Sequence, residues 1–404
     1  MANPKRKIIN DPVYGFITIS HPLIFSIIAH PFYQRLRRIQ QMAMAQLVYP
    51  GAVHTRLHHS LGAYHLMCNV VNELRSKEIE ITKEEEIAVK AAILLHDIGH
   101  GPFSHALEHE LVLGVHHEDL SLQIMQLMNN ELNGQLGLAI DIFTNQYHKP
   151  FLHQLISGQL DVDRMDYLSR DSFFSGVSEG VIGYDRILKM LTVHHGQLMV
   201  EEKGIYSVEK FLVARRQMYW QVYLHKTVLS AEKMLVKIIQ RVRSIYQANE
   251  KSLATGSEVD FFLGEFNGPM NTDTIKRFCL MDDFDVISAI KKWSTHSDKV
   301  LSLLCTRLLN RSIYKTSIQA TPFESSFIEA KKEQVMKQFG VNEEEANFLC
   351  FTGIATNTTY QSKEEKINIL YKDGTVKDIT EVDNSMIQQN LSSQVKKFYI
   401  CLLT

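Results

Sequence analysis

Apolar residues recur at helical spacing through most of the first 250 residues, and this pattern limits the possible folds more than any other feature. The spacing is present in HPLIFSIIAHPFYQRLRRIQQMAM, SLGAYHLMCNVVNELRSK, EEEIAVKAAILLHDIGH and DVDRMDYLSRDSFFSG, with polar turns between them. It continues in YDRILKMLTVHH and in the long stretch EKFLVARRQMYWQVYLHKTVLSAEKMLVKIIQRVRSIYQ. The sequence therefore predicts a mainly α protein.

The rest of the chain predicts a smaller part with strands. Residues 249–275 are polar and contain glycine, which indicates a loop or a soft boundary. Two further helices are expected beyond it, followed by KINILYKDGTVKDITEV and QVKKFYICLLT, whose β-branched and aromatic runs flank a Lys-Asp-Gly turn. We therefore expect a helical catalytic domain over 1–250 and a small α+β appendage over 276–404. GQLMVEE and GIYSV are predicted to pair as a small hairpin within the helical part.

Composition narrows the class of protein. Over 404 residues, 45% are hydrophobic and 22% are charged, as in an ordinary globular chain. The net charge of −2 gives no basic field, so nucleic acid is not expected as the main partner. No leader sequence and no run of eighteen apolar residues occurs, so we expect a cytoplasmic protein without a membrane span. The five scattered cysteines form no CxxC pair and predict buried thiols.

The sharpest local signal is LLHDIGHGPFSHALEHE. The chain has 18 histidines, and many of them fall between residues 54 and 117. An isolated pair such as His96-Asp97 is common and can simply end a helix near Gly99 and Gly101. Here AAILL precedes the pair, so two polar groups emerge from a buried helix, where ionised groups need a partner or a metal.

Other segments supply further candidate ligands. A histidine pair opens the helical segment HHSLGAYHL, and DVDRMDYLSRD carries several carboxylates; the candidates are His58, His59, Asp161, Asp163 and Asp166. Adjacent residues on a helix point about 100° apart, so His58 is expected beside the site and not in it. Two imidazoles with two carboxylates suit a divalent metal such as Mn, Fe, Zn, Ni or Mg. Since such a metal activates water and polarises a phosphoryl oxygen, the chemistry predicted is phosphoester hydrolysis.

The remaining histidines of the motif are candidates for proton transfer. An unperturbed imidazole has a pKa of about 6.5, so His100, His105 and His117 are candidates to move a proton at neutral pH. Glu108 lies one turn past His105, and Glu118 is adjacent to His117. Either carboxylate can orient or tune these rings.

These motifs resemble a known family. RLHHSLG, LLHDIGHGPFSH and DVDRMDYLSRD match the H…HD…D pattern of the HD superfamily of metal-dependent phosphohydrolases. The blocks KIINDPVYGFI, FYQRLRRIQQM and YPGAVHTRLHHSLG resemble the deoxynucleoside triphosphate triphosphohydrolases, a group that includes the vertebrate SAM-and-HD-domain enzyme. The likeness is strong over residues 5–235, is weak beyond them, and does not extend to a SAM domain. An HD-type helical catalytic core is the fold that it implies.

The resemblance implies hydrolysis of a deoxynucleoside triphosphate (dNTP) to the deoxynucleoside and inorganic triphosphate, with attack at the α-phosphorus beside a metal. The implied metal ligands are His59, His96, Asp97 and Asp163. The implied phosphate-contacting and catalytic residues are His100, His105 and His117 with Glu108. The implied substrate contacts are Gln41 near the sugar 3′-hydroxyl, Arg56 and Arg164 on phosphate, Tyr167 and Asp171 on the sugar, and Arg215 and Tyr223 in the pocket.

Some positions depart from the family pattern. Arg164 replaces a lysine, which keeps the charge and changes its geometry, and Glu108 replaces an aspartate. Basic residues that resemble those binding activating nucleotides between subunits are Lys7, Arg37 and Arg311. Ala29 replaces the aspartate that reads guanine in the vertebrate enzyme, which argues against guanine-specific activation. A homo-oligomer, dimer or tetramer, is implied by resemblance.

The sequence is compatible with two other functions. The first is HD-type hydrolysis of a different phosphoester, such as a nucleoside monophosphate, a cyclic nucleotide or an alarmone. The second is a nucleotide sensor without turnover, although the complete ligand set argues against lost chemistry. The reaction products distinguish all three.

Overall fold

A computed structural model describes residues 6–247, 251–360, 366–382 and 394–404. Within them the chain forms eighteen α-helices and nine β-strands, so the prediction of a mainly α fold is confirmed. The helices are α1 (Pro22–Ala29), α2 (Pro31–Gln34), α3 (Arg56–Ser76), α4 (Lys83–Leu95), α5 (Glu108–Leu111), α6 (His117–Glu131), α7 (Gly137–Phe143), α8 (Pro150–Gln154), α9 (Val162–Ser175), α10 (Tyr184–Met190), α11 (Ile205–Met218), α12 (Lys226–Gln247), α13 (Glu258–Asp260), α14 (Thr272–Phe278), α15 (Asp283–Trp293), α16 (Lys299–Leu309), α17 (Ser325–Phe339) and α18 (Glu343–Leu349). The strands are β1 (Lys7–Asp11), β2 (Gly15–Ile19), β3 (Leu191–His194), β4 (Gln197–Glu201), β5 (Lys315–Gln319), β6 (Cys350–Asn357), β7 (Asn368–Leu370), β8 (Val376–Asp378) and β9 (Val395–Leu402).

Local sequence signals place the ends of the helices that carry the site. At the start of α4 the Thr82 hydroxyl accepts from the Glu85 amide at 3.2 Å, and the Glu85 carboxylate accepts from the Thr82 amide at 2.8 Å. Asp161 caps α9 by accepting from the Arg164 amide at 2.7 Å, and α9 ends at Gly176 with a φ of +73°. These caps fix where α4 delivers His96 and where α9 begins.

Helix α3 is the central element of the first 250 residues. It packs against α4 on one side and α9 on the other, while α12 packs against α16. Gly62 lies where α3 meets α9, and a Cβ there would lie 2.0 Å from Asp166 Oδ1 and 2.1 Å from an Arg170 guanidinium nitrogen. The missing side chain therefore lets two charged residues of α9 reach the surface of α3.

Three small sheets complete the fold. Strands β1 and β2 form an antiparallel hairpin, and β5, β9 and β6 form an antiparallel sheet in that order. The third sheet has the order β3-β4-β7-β8, and its β4–β7 pair is parallel with Val200 opposite Ile369. Contacts thus cross the predicted boundary at 249–275, and the division into two domains remains a prediction. Residues 249 and 250 of that stretch lie outside the described residues.

Three local predictions were wrong. GQLMVE pairs with β3 through a turn at His195 and Gly196, whose φ values of 49° and 75° suit a two-residue hairpin, while GIYSV begins α11. The long helix predicted up to Gln247 is interrupted by a wider helical turn at Tyr219–Tyr223. Among the described residues, four helices and not two begin beyond residue 275, and α14 already begins within the loop region. The predicted hairpin around Lys-Asp-Gly is present as β7 and β8.

The described residues contain no helix that is long and apolar enough to cross a membrane. All five cysteines are free, and four of them are buried. Burial raises the pKa of the Cys279 thiol to about 11, with a smaller lowering effect from Arg35. The prediction of buried thiols therefore holds for every cysteine except the partly exposed Cys68.

Replacing Gly62 by alanine is expected to destabilise the protein by about 3 kcal/mol or more, because the new methyl group separates the buried Asp166–Arg170 pair. Gly137→Ala is the matched control, since a Cβ there meets no atom within 4 Å. Urea denaturation of both variants measures the free energy of unfolding. Equal stabilities for Gly62→Ala and the control would contradict the close packing of α3 on α9.

Candidate functional site

A cavity of about 630 Å³ opens between α3, α9, α12 and the loop that follows α4. Ten of the predicted site residues line it: Gln41, Arg56, Asp97, His100, His105, His117, Asp163, Tyr167, Asp171 and Tyr223. Residues far apart in the sequence thus meet around one space. Its size lies within the range typical of small-molecule sites.

The four predicted metal ligands lie close together beside this cavity, and Asp97 and Asp163 line it. His59 Nε2 lies 3.4 Å from His96 Nε2, and Asp163 Oδ1 lies 3.0 Å and 3.5 Å from these two nitrogens. An Asp97 oxygen lies 3.6 Å from His59 Nε2, and the other lies 3.4 Å from His96 Nε2. Ligands bound at about 2.1 Å around one ion lie roughly 3.0–3.5 Å apart, so His59, His96 and Asp163 fit a divalent metal, and Asp97 lies beside them.

The other ring nitrogen, Nδ1, of each imidazole already forms a hydrogen bond. His59 Nδ1 forms a 2.7 Å hydrogen bond with Asp166 Oδ2, and His96 Nδ1 forms a 2.7 Å bond with the Ile93 carbonyl. Each carbonyl or carboxylate oxygen accepts, so the proton resides on Nδ1 and Nε2 is left as the ligand atom. Partners of this kind hold metal-binding histidines in the correct tautomer and orientation.

Neighbouring charges shift the pKa values of the buried groups in this cluster. Burial alone would lower the pKa of His59, yet its hydrogen bonds with Asp163 and Asp166 raise it to about 10. Burial raises the pKa of the Asp97 carboxyl, but the charges of His96 and Arg56 outweigh burial and hold it below its usual range. The imidazoles and carboxylates of the cluster therefore stabilise one another's charged forms.

A buried ion-pair chain supports His59 from behind. Arg170 donates to both oxygens of Asp166 at 3.0 Å and to Asp11 Oδ2 at 2.8 Å. His59, Asp166 and Arg170 are fully buried. These ion pairs and hydrogen bonds link β1 to α9 and to His59 among the predicted metal ligands.

The loop after α4 is strained and held in place. Phe103 and Ser104 adopt left-handed conformations with φ values of 54° and 50°, which are uncommon for non-glycine residues and cluster at functional sites. Arg56 donates to the Ser104 hydroxyl at 2.7 Å and forms an ion pair with Asp97. Asp283 accepts from the Phe103 amide at 2.7 Å, so α15 also fixes this loop.

His105 and His117 share one carboxylate. Glu108 lies 3.1 Å from His105 Nδ1 and 2.6 Å from His117 Nδ1, and it also accepts from the His117 amide at 3.0 Å. Burial opposes ionisation of Glu108, but these bonds keep its pKa well below the usual range. Both rings therefore face an anionic partner that orients them.

His100 lies against these two rings in a different environment. Burial, followed by the nearby charge of Arg56, holds the pKa of His100 well below its usual range. The ring is consequently neutral at physiological pH. Gly99 permits this arrangement, because a Cβ there would lie 2.2 Å from the His117 carbonyl.

A hydrogen-bonded group of aromatic and acidic side chains also lines the cavity. Asp171 accepts from the Tyr223 hydroxyl at 2.7 Å and from His54 Nε2 at 2.7 Å. The His54 ring stacks on Phe174 at 4.5 Å, and the Tyr167 and Tyr223 rings meet edge to face at 6.4 Å. Asp171 is thus held from two sides, and two tyrosines form the wall beside it.

Two predicted substrate-binding residues lie outside the residues that line the cavity. Arg164 is paired with Asp161 at 3.2 Å, and Arg215 donates to the Thr359 carbonyl at 3.0 Å and to Gln159 at 3.3 Å. Their roles in binding the substrate remain predictions.

The three residues predicted to bind a regulatory nucleotide also lie away from the cavity lining. The Lys7 ammonium lies over the Phe25 ring at 5.5 Å. Arg37 donates to Gln34 at 2.7 Å, and Arg311 donates to the Leu47 carbonyl at 2.7 Å. Their regulatory role also remains a prediction.

Sequence reasoning missed several residues of the site. Glu232 and Lys233 line the cavity from α12, and burial raises the pKa of Glu232 to about 7. The signal for Glu232 was present, since it interrupts the apolar stripe of an amphipathic helix. No local signal indicated the wall formed by the second part of the chain, which consists of Ile354, Ala355, Thr356 and Tyr399.

Comparison with known proteins agrees with the motifs. A family model of the HD domain matches residues 56–171, and a model of an HD associated region matches residues 182–264. The uncharacterized protein YwfO of Bacillus subtilis (strain 168) is 31% identical over 402 residues, which covers 96% of this chain and 90% of that protein.

The SAMHD1 homolog of Dictyostelium discoideum, a deoxynucleoside triphosphate triphosphohydrolase, is 33% identical over 248 residues. The match covers 57% of this chain and 48% of that protein, so the chain spans about half the length of this relative. The crystal structure of a phosphohydrolase from Bacteroides thetaiotaomicron VPI-5482 superposes with a TM-score of 0.94 at 48% identity, covering 99% of this chain and all of that one. The chain therefore belongs to the HD-domain family of metal-dependent phosphohydrolases.

Proposed function

We propose that this protein hydrolyses deoxynucleoside triphosphates to the deoxynucleoside and inorganic triphosphate. The observation that carries the proposal is one cavity lined both by Asp97 and Asp163 of the predicted metal ligands and by the Asp171–Tyr223 pair. The similarity to a triphosphohydrolase over the catalytic part supports the same substrate class.

His59, His96, Asp97 and Asp163 are the residues proposed to hold the divalent metal. The ion supplies Lewis-acid polarisation of a phosphoryl oxygen and activation of water. Mn, Mg, Fe, Zn and Ni all accept the mixed nitrogen and oxygen donors, and the donor set does not choose among them.

The chain's own residues bind the phosphates and move the proton. Arg56 presents a guanidinium to the cavity beside Asp97, and Lys233 adds a second cation. When water attacks the α-phosphorus, the bond to the 5′-oxygen breaks and that oxygen takes a proton. His105 is placed to donate this proton, because its ring faces the cavity while Glu108 holds Nδ1.

We assign selection of the deoxyribose to the part of the cavity lined by Tyr167 and Tyr223. The Tyr167 and Tyr223 rings form a wall, and Asp171 offers a carboxylate to a sugar hydroxyl. An added 2′-hydroxyl would meet the tyrosine wall and lose its water without gaining a partner. Discrimination against ribonucleotides therefore follows from shape.

Nucleotide regulation through Lys7, Arg37 and Arg311, and assembly into a homo-oligomer, are further parts of the proposal. They rest on the sequence resemblance. Activation by a second nucleotide is measurable in the same assay that tests turnover.

The substrate assignment is tested by incubating the protein with each dNTP and Mn²⁺ or Mg²⁺ and separating the products by chromatography. Deoxynucleoside and triphosphate are expected, and Asp163→Ala is expected to lower the rate at least about 100-fold because a metal ligand is lost. The matched control Asp185→Ala, an exposed carboxylate on α10, is expected to retain the rate. Nucleoside monophosphate with pyrophosphate would contradict the proposal.

Tyr223→Phe is expected to lower kcat/KM for a dNTP about tenfold, because it removes the 2.7 Å hydrogen bond that positions Asp171. Discrimination between the dNTP and the matching ribonucleotide should fall as well. The control is Tyr371→Phe, which makes the same chemical change outside the cavity. Steady-state kinetics with both substrates give the comparison, and an unchanged ratio of kcat/KM values would refute the role of Tyr223.

Metal affinity is expected to rise with pH, because the His59 proton must leave before Nε2 can bind a metal. The pKa of His59 is raised to about 10, so the ring stays protonated below that value in the metal-free protein. Displacing the His59 proton by itself gives about a tenfold gain in affinity per pH unit between pH 7 and pH 9. Calorimetric Mn²⁺ titrations in buffers of different ionisation enthalpy count the released protons, and an affinity independent of pH would exclude this coupling.

A further inference from the structure

A carboxylate from the second part of the chain binds two backbone amides beside the cavity. Asp283 is the first residue of α15 and is 5% exposed. Its Oδ1 accepts from the Phe103 amide at 2.7 Å, and its Oδ2 accepts from the Gln40 amide at 2.7 Å. One buried side chain therefore joins two segments that are distant in the sequence and that both belong to the first 250 residues.

Each of these amides precedes a residue that lines the cavity. Gln40 is followed by Gln41 and Phe103 is followed by Ser104, and both following residues belong to the lining. Asp283 is not among the described residues that line the cavity. A shift of either amide moves a side chain of the cavity, so Asp283 can act on the site without touching a molecule bound in it.

The two segments are also linked to each other and to Arg56. The Ser104 hydroxyl donates to the Gln40 carbonyl at 3.2 Å, and the Arg56 guanidinium donates to that hydroxyl at 2.7 Å. The Arg56 amide donates to the Ile39 carbonyl at 2.9 Å. The position of Arg56, which is proposed to bind phosphate, therefore depends on the two segments that Asp283 joins.

The bond to the Phe103 amide lies where the backbone is strained. Phe103 and Ser104 have φ values of 54° and 50°, and such left-handed conformations persist only where surrounding contacts hold them. A buried amide that loses its acceptor also carries a desolvation cost. Without the carboxylate of Asp283, the loop is therefore expected to relax and to displace His105, which follows Ser104.

Charged groups from three parts of the chain lie around Asp283. They are Asp282 and Asp285 on α15, Arg35 and Arg38 in the helical turn after α2, and Arg56 at the start of α3. Burial raises the pKa of Asp283 to about 7 against the lowering effect of the two amides, and the charges of Asp282 and Arg56 act in opposite directions. The carboxylate is therefore present above pH 7 and is lost as the pH falls through 7. A protonated carboxyl keeps a good acceptor on one oxygen only, so one amide then loses its partner.

We propose that Asp283 is a positioning residue for turnover, whose ionised carboxylate holds Gln41 and His105 in the arrangement that the reaction needs. Protonation or removal of the carboxylate frees one of the two amides and slows the chemical step. This effect on turnover rests on the proposed function. The effect on the backbone of the two segments does not depend on what the cavity binds.

The role in turnover is tested with Asp283→Asn, which keeps the size of the side chain and replaces one acceptor oxygen by a donor. At pH 8 with saturating Mn²⁺, kcat for dATP is expected to fall about tenfold, because the side chains of the site are displaced. KM should change less than about threefold, since Asp283 lies outside the described cavity lining.

The matched control is Asp285→Asn on the same helix. It removes a 2.9 Å bond from the Asp282 amide at the start of α15 and leaves the two cavity segments their acceptor, so it should keep the rate. An unchanged kcat in Asp283→Asn, or an equal loss in Asp285→Asn, would overturn the positioning role.

The pH dependence separates positioning from a merely structural role. Dividing the rate of the unmodified protein by that of Asp283→Asn cancels every ionisation that the two proteins share. For one ionisation near pH 7, this ratio is expected to fall from about tenfold at pH 8 to about twofold at pH 6, because asparagine resembles the protonated acid. A ratio that stays constant over this range would contradict the proposal.

Hydrogen exchange measures the same contact without a substrate. After correction for the intrinsic rate, amides in residues 39–41 and 103–106 are expected to exchange about tenfold faster in Asp283→Asn, while α12 is unchanged. If the variant does not fold, the unmodified protein gives the test, since both segments should lose protection between pH 8 and pH 6. Unaltered exchange in both segments would overturn the role of Asp283.

The outcomes distinguish this role from the proposed function. Faster exchange in Asp283→Asn, in a protein that leaves every dNTP intact, would keep the contact and remove the triphosphohydrolase assignment. Turnover of dNTPs with the same kcat and the same exchange in Asp283→Asn would keep the assignment and remove the role of Asp283.

Discussion

The hydrogen bond between His59 and Asp166 is the contact on which the rest of the site depends. It is fully buried, and it fixes the Nδ1 proton so that Nε2 turns toward His96 and Asp163. Arg170 forms an ion pair with this carboxylate, which offsets the free-energy cost of burying its charge. Gly62 leaves room on α3 for the Asp166–Arg170 pair, and Asp166 in turn orients His59, a predicted metal ligand.

The cavity also depends on the second part of the chain. Asp283 holds the strained loop through the Phe103 amide, and Tyr399 contributes to the wall from β9. The loop, in turn, carries Ser104, to which Arg56 donates. The C-terminal residues therefore shape the site even though the predicted ligands all belong to the first 250 residues.

The sequence predicted the parts of the site that follow from local pattern. The His96-Asp97 pair at the end of an apolar helix signalled buried polar chemistry, and the structure places it beside His59 and Asp163. The wall at Tyr399 was beyond prediction, since it requires β9 to pair with strands more than 30 residues away in sequence. The orientation of Arg215 was also beyond prediction, because its partner Thr359 lies on a distant loop. The sequence shows that residue 215 is a cation, but the direction of its guanidinium depends on tertiary contacts.

The most direct test is hydrolysis of dATP in water enriched in oxygen-18, with mass analysis of both products. Attack at the α-phosphorus and cleavage of its bond to the 5′-oxygen place one labelled oxygen in the triphosphate and none in deoxyadenosine. We expect label in the triphosphate only. Labelled deoxyadenosine, or dAMP with pyrophosphate, would contradict it.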